Sequence, residues 1–139
     1  MGDEQSGIKA LGARVHLFVR PDQRERFTSL FKDVLGCSVL ERDFGLAYPL
    51  LFVPFGDGSG FSVEFTEWAT EEYTGDTLDD EHAFRGAWIE FRSDDVVTLQ
   101  QRLRDAGIRE FRHPGSEHVY FSAPGGQVFR LLDVSYKGP

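Results

Sequence analysis

Two stretches of the chain share one order of strand and helix, and this repeat constrains the fold more than any other feature. The run ARVHLFVRPD at 13–22 is answered by GAWIEFRSDD at 86–95. Each run begins as an apolar strand, leads into a helix and is followed by three further strand-like runs. A repeat that fills the whole chain predicts two equivalent modules, each with the order βαβββ.

The first predicted module covers residues 12–68. Its opening strand at 13–20 leads into a helix at 21–36, where apolar residues recur at helical spacing and predict one buried stripe. Strands follow at 37–44, 47–55 and 60–68. The segment GDGSG, which separates the last two strands, is typical of a hairpin turn.

The second predicted module covers residues 86–135 and repeats this order. A strand at 86–93 leads into a helix at 94–107, and Gly107 is placed to end that helix. Three strands follow, at 108–113, 117–124 and 127–134. The joining segment 69–85 is polar and acidic and lacks the ligand spacing of a calcium loop, so we expect a solvated linker there.

Composition and charge narrow the classes of partner. A chain of 139 residues fits one domain, and its formal net charge of −8 argues against nucleic acid, whose phosphates need basic patches. The same charge makes cationic small molecules plausible partners. No apolar stretch predicts a membrane span or a secretory signal, and Cys37 is the single cysteine, so we expect a cytoplasmic protein.

Alternation along the strands predicts which side chains share a face of the sheet. Each strand has one uniformly apolar face for its helix and one mixed face. A mixed face on a sheet this apolar is typical of a ligand-binding surface. The mixed faces hold His16, Phe18, Glu64, Trp88, Glu90 and Arg130.

The paired modules resemble the vicinal oxygen chelate superfamily, which includes glyoxalase I, the bleomycin resistance proteins and the extradiol dioxygenases. The matching stretches are HLFVRPDQRERFTSLFKDVLG, GFSVEFTE, SDDVVTLQQRLRDAG and SAPGGQVFRLLDV. The resemblance implies an α+β fold in which two βαβββ modules form an open, cup-shaped mixed sheet with helices on its outer face. It also implies that a partner chain or a second pair of modules usually completes the cup.

Metal-dependent members of that superfamily place their ligands on the first and last strand of each module. By this resemblance His16 and Glu64 match the first two ligand positions. The third position falls on Trp88, or on Ala87 with a shift of one residue, and the fourth falls on Arg130. Arginine stays protonated and cannot ligate a divalent cation, so we expect no metal cofactor. If a metal were bound, His16 and Glu64 would be its ligands.

These features favour a metal-free protein that binds a drug or metabolite, cationic or planar in character, in the cup of a homodimer. We expect Arg130 to pair with Glu64 or Glu90, and Trp88 to stack on a ligand or on the guanidinium. One alternative is a divergent metal-dependent lyase, isomerase, thiol transferase or dioxygenase. Another is metal-free proton transfer with Glu64 or Glu90 as the base. A regulatory module without catalysis is a third, and it would show a filled core around Arg130.

Overall fold

The computed structural model of the chain describes residues 15–70, 87–112 and 118–137, together with Gly7 and Lys9. Most of the predicted linker, at 71–85, lies outside the described residues. Within the described ranges no helix is both long enough and apolar enough to cross a membrane.

The first module contains the predicted strands and helix, with one difference in the helix. Its strands are β1 (His16–Val19), β2 (Leu40–Arg42), β3 (Leu50–Pro54) and β4 (Gly60–Phe65). The helix predicted as continuous begins with a 3₁₀ turn at Pro21–Gln23, continues as α1 (Arg24–Ser29) and widens into a π-helical segment at Leu30–Val34. The chain leaves this helix through Gly36, whose φ of 73° suits a residue without a Cβ.

The second module repeats the order. It contains β5 (Ile89–Ser93), α2 (Val96–Asp105), β6 (Glu110–Arg112), β7 (Val119–Ser122) and β8 (Val128–Asp133). The Asp95 side chain caps α2 by accepting a hydrogen bond from the Thr98 backbone N–H at 3.4 Å. The chain therefore has the predicted α+β architecture of two βαβββ modules.

Each module forms its own four-stranded mixed sheet. The strand orders are β1-β4-β3-β2 and β5-β8-β7-β6, so the first strand of each module is an edge strand beside the last. Those two neighbours run parallel, and every other pair is antiparallel. The same topology in both halves explains why the sequence pattern repeats.

One apolar core joins the two sheets. The Phe31 ring, on the π-helical segment, lies 5.1 Å from Phe61 of the first sheet and 5.6 Å from Phe129 of the second. Phe61 and Phe91 also contact each other across the junction, at 6.1 Å. Each sheet turns one face to this shared core and the other away from it. We call these other faces the first open face and the second open face. The outward face of the second sheet is itself largely buried, since a second small apolar cluster lies there, formed by Phe111, Tyr120 and Val128.

The turn between β7 and β8 is also fixed against the first module. The Gln127 side-chain amide donates to the Phe18 carbonyl oxygen at 2.7 Å. Gly125 has a φ of +104°, and a Cβ placed there would lie 2.7 Å from Cγ1 of Val19. A side chain at position 125 would therefore not fit in this turn.

We expect Gly125→Ala to lower the free energy of unfolding by about 2 kcal/mol, since it combines a disfavoured backbone conformation with a clash. Gly58→Ala is the matched control, because Gly58 has a φ of +89° but no atom lies within 4 Å of the position that a Cβ would occupy. Its loss should be about 1 kcal/mol. Urea unfolding of the three proteins checks this, and equal losses in both variants would contradict the predicted clash.

Candidate functional site

The first open face presents a histidine linked to a serine and a carboxylate. Strand register places His16 beside Ser62 and Phe18 beside Glu64. The His16 Nδ1 atom lies 2.6 Å from Oγ of Ser62, and Nε2 lies 3.1 Å from Oε1 of Glu64. The side chains of His16 and Glu64 remain 35% and 28% exposed, so both are accessible to a ligand.

Aromatic rings extend this face. The edge of the His16 ring meets Phe18 at 4.9 Å, and Phe18 contacts Trp68 at 4.7 Å. Trp68 is 69% exposed, which is unusual for a side chain of this size. A cavity of about 540 Å³ begins at His16, and its walls also include Phe52 and Ser62, while Phe18, Glu64 and Trp68 lie outside it.

The second open face centres on Arg130, which is only 8% exposed. Its Nη2 donates to Oε1 of Glu90 at 2.5 Å, and its Nη1 donates to the Tyr120 hydroxyl at 3.3 Å. The guanidinium carbon lies 4.1 Å from the centroid of the Trp88 ring, in a cation–π contact. Arg130 thus contacts Glu90 on β5, Tyr120 on β7 and Trp88, which directly precedes β5.

This pairing stabilises the charged form of both groups. Burial acts to raise the pKa of Glu90, but hydrogen bonds from Arg130 and Arg92 and the charges of both outweigh it and hold that pKa below its usual value. Burial acts to lower the pKa of Arg130, and the hydrogen bonds to Glu90 and Tyr120 outweigh it and raise that pKa. Both shifts favour the charged form, in agreement with the permanent charge expected of Arg130.

The structure divides the predicted ligand-binding residues into two groups. His16, Phe18 and Glu64 lie on the first open face. Trp88, Glu90 and Arg130 lie on the second. In the described parts of the chain no hydrogen bond or ring contact joins the two groups. Of the two partners expected for Arg130, Glu90 is the observed one, since Glu64 pairs with His16.

The four residues matched to metal-ligand positions in the sequence analysis do not fit a metal ion. Across residues 15–70, 87–112 and 118–137, no group of three or more His, Cys, Asp or Glu side chains could hold a metal. The matching positions place Arg130 and its fixed positive charge where an acidic ligand would be needed. His16 and Glu64 alone supply two ligands, fewer than a stable site needs.

Three further residues of these faces are absent from the set predicted to bind a ligand. Strand alternation could place Ser62 and Tyr120 on these faces, because each is the register partner of a residue in the predicted set. Ser62 pairs with His16, and Tyr120 pairs with Arg130. Trp68 follows the end of β4, where alternation no longer applies. Only its contact with Phe18 shows that it belongs to the first open face.

The fold is shared with proteins of known structure. No family model matches the sequence, and no curated protein matches it either. The fosfomycin resistance protein FosX from Listeria monocytogenes is 16% identical, with a TM-score of 0.62 over 89% of this chain and 90% of that chain. The trypanothione-dependent glyoxalase I of Leishmania major is 15% identical, with a TM-score of 0.62 over 89% and 86% of the two chains. TnmS3, an antibiotic binding protein from Streptomyces sp. CB03234, is 20% identical, with a TM-score of 0.55 over 92% and 98%.

Proposed function

Because this chain has the fold of the vicinal oxygen chelate superfamily, we propose that it is a small-molecule binding protein whose ligand lies on the first open face. One observation carries the proposal: His16, Phe18, Glu64 and Trp68 form a partly exposed polar and aromatic surface on a sheet whose other face is buried. Apolar and aromatic surface with a few converging polar groups is typical of small-molecule sites, and a cavity opens at His16.

The chemistry of this face favours a planar, cationic ligand. Phe18 and Trp68 offer exposed ring surface on which a planar group stacks. Glu64 supplies a carboxylate beside them, and the net charge of −8 attracts a cation. TnmS3, which shares the fold, is described as an antibiotic binding protein, and this supports a ligand of drug-like size.

We propose a homodimer as the binding form. Within the described residues no hydrogen bond or ring contact joins the two faces of one chain, so a second chain is the proposed means of bringing both onto one ligand. In a dimer, the first open face of one chain could lie opposite the second open face of its partner. Trp88, which is 39% exposed, would then be the second stacking surface.

Proflavine, a planar aromatic cation, is the probe that tests the ligand class. We expect it to quench tryptophan fluorescence with saturation in the micromolar range. Glu64→Gln should weaken this binding about tenfold, because it removes the facing negative charge while keeping the side-chain shape. The measurement is a fluorescence titration of both proteins at one concentration.

Glu25→Gln is the matched control. It removes the same charge from an exposed position on α1, outside the first open face. Binding by this variant should equal that of the unaltered protein. If both variants weaken proflavine equally, net charge alone explains binding and the proposed site is wrong. Elemental analysis of purified protein provides a second test, since a stoichiometric metal at His16 would contradict a metal-free site.

The contact between His16 and Glu64 favours one second candidate, metal-free proton transfer at the same face. A histidine in hydrogen-bond contact with a carboxylate can accept and return a proton of a bound carbonyl compound. Exchange of the α-protons of dihydroxyacetone into D₂O, followed by NMR, tests this candidate. Exchange that is lost in Glu64→Gln supports catalysis, and no exchange above the buffer rate rejects it.

A further inference from the structure

A second cavity, of about 590 Å³, lies where the two modules meet. We call it the seam cavity and define it by six of its lining residues, Leu35, Cys37, Phe55, Phe61, Phe91 and Leu99. They come from the end of the first helix, the β3–β4 hairpin, β5 and α2. Neither His16 nor Arg130 lines it, but Glu90 does. The seam cavity adjoins the cavity beside His16, since Val15, Ser59, Gly60 and Phe61 line both.

The lining of the seam cavity is mostly apolar and aromatic. Phe55 meets Phe91 edge-on at 5.7 Å, and Phe61 stacks with Phe91 at 6.1 Å. Leu35, Phe55, Phe91 and Leu99 are each only partly buried, so the cavity gives access to apolar surface. A volume of this size and a lining of this kind are typical of sites for organic molecules.

The charged groups at the rim are already paired with protein atoms. Arg92 donates to Oε2 of Glu90 at 2.7 Å and to the carbonyl oxygen of Tyr136 at 2.6 Å. The Asp57 carboxylate accepts hydrogen bonds from the backbone N–H and hydroxyl of Ser59. A charged ligand would lose its hydration here without gaining a free counter-charge from these groups, which is costly.

We propose that the seam cavity is a binding site for neutral, largely aromatic small molecules. The phenylalanine rings supply stacking and edge contacts to such a ligand, and burial of its apolar surface supplies the driving force. This proposal does not rest on the proposed function, which needs a cation near Glu64 on the first open face. The two sites differ in ligand charge, so they can be tested separately.

Cys37 offers a built-in reporter of occupancy. It is the single cysteine of the chain, and it lies in the wall of the seam cavity. Burial raises the pKa of its thiol, so only a small fraction is the thiolate that reacts with alkylating reagents. A molecule inside the cavity should slow that reaction further by covering the thiol.

N-Phenyl-1-naphthylamine, a neutral aromatic probe whose emission rises in apolar surroundings, tests the proposal. We expect saturable binding of one probe per chain, and at saturation at least a fivefold slower alkylation of Cys37 by N-ethylmaleimide, followed by mass spectrometry. Leu99→Phe, which fills the cavity, should weaken probe binding at least fivefold. Val97→Phe is the matched control, because Val97 lies on the same helix and is 78% exposed.

Several results would overturn the proposal. One is that probe emission does not saturate. Another is that saturating probe leaves the alkylation rate of Cys37 unchanged. A third is that Leu99→Phe and Val97→Phe weaken probe binding equally. Probe binding that disappears as chains associate would show an interface between copies instead. If Leu99→Phe fails to fold, protection of Cys37 in the unaltered protein still decides the question. Glu64→Gln should leave probe binding unchanged, which separates this result from the test of the first open face.

Discussion

Replacement of Phe31 by alanine is expected to lower the free energy of unfolding by about 3–5 kcal/mol, the usual range for deletion of a buried aromatic ring. Phe31 is 1% exposed, and its ring contacts Phe61 of the first module and both Phe91 and Phe129 of the second. The loss should therefore weaken both modules together. Urea unfolding followed by circular dichroism measures it.

Two variants control this prediction. Phe31→Leu keeps most of the volume and should lose much less, about 1 kcal/mol. Phe44→Ala makes the same chemical change at a ring that is 60% exposed, and it should change stability by less than about 1 kcal/mol. A Phe31→Ala protein that unfolds in two separate steps, with one module retaining its original midpoint, would contradict a core shared by both modules.

Replacement of Glu90 by alanine is expected to lower the free energy of unfolding by about 2–4 kcal/mol, because it leaves the guanidinium of Arg130 buried without its carboxylate partner. An uncompensated buried charge is strongly destabilising. Arg130→Met should lower the free energy of unfolding by less than Glu90→Ala does. Glu90 is the more exposed partner, and it keeps its ion pair with Arg92 at 2.7 Å. Thermal and urea unfolding of both variants check this order.

The double variant Glu90→Leu with Arg130→Met supplies the control. Because it removes both charges and fills the space with apolar groups, it should recover most of the stability lost in Glu90→Ala. A double variant that loses the sum of the effects of Glu90→Leu and Arg130→Met, each measured alone, would show that the two side chains do not interact. It would also contradict pairing with Glu90 as the reason that a buried arginine is tolerated in this sheet.

Acid supplies a further check on the same pair. The pKa of Glu90 is lower in the folded protein than its unfolded value of about 4.5. A lowered carboxyl pKa means that the ionised group stabilises the fold above the unfolded pKa, and that this contribution is lost as the pH falls through the folded pKa. The stability difference between the unaltered protein and Glu90→Ala should therefore stay constant from about pH 7 to 5 and narrow below about pH 4.5.

Strand alternation predicted correctly which side chains share one side of each sheet, because alternation depends only on residues that are neighbours in the sequence. It placed His16 and Glu64 on one side of their sheet and Glu90 and Arg130 on one side of theirs, and the observed registers confirm both. It could not predict how the two sheets dock, because ring contacts between residues far apart in the sequence determine that arrangement. The contact of Phe31 with Phe129, 98 positions later, is one of these.

The same limit explains why the sequence predicted neither the change of helix type nor the seam cavity. The π-helical segment is a single turn of five residues, too short to show a period different from that of an α-helix, so the change at Leu30 gave no signal. A lone cysteine such as Cys37 is usually a small packed hydrophobe, and its partial burial agrees with that interpretation. That it borders a cavity depends on β5 and α2, which follow more than 50 residues later.

The outward direction of both open faces has a consequence for dose–response behaviour. A ligand that contacts one face from each of two chains would also strengthen the association of those chains, and thermodynamic reciprocity makes the two enhancements equal. The apparent affinity for the ligand would then rise with protein concentration. Dilution of the protein would weaken ligand binding even when the ligand is in excess. Titrations at several protein concentrations would therefore report on assembly and recognition at once.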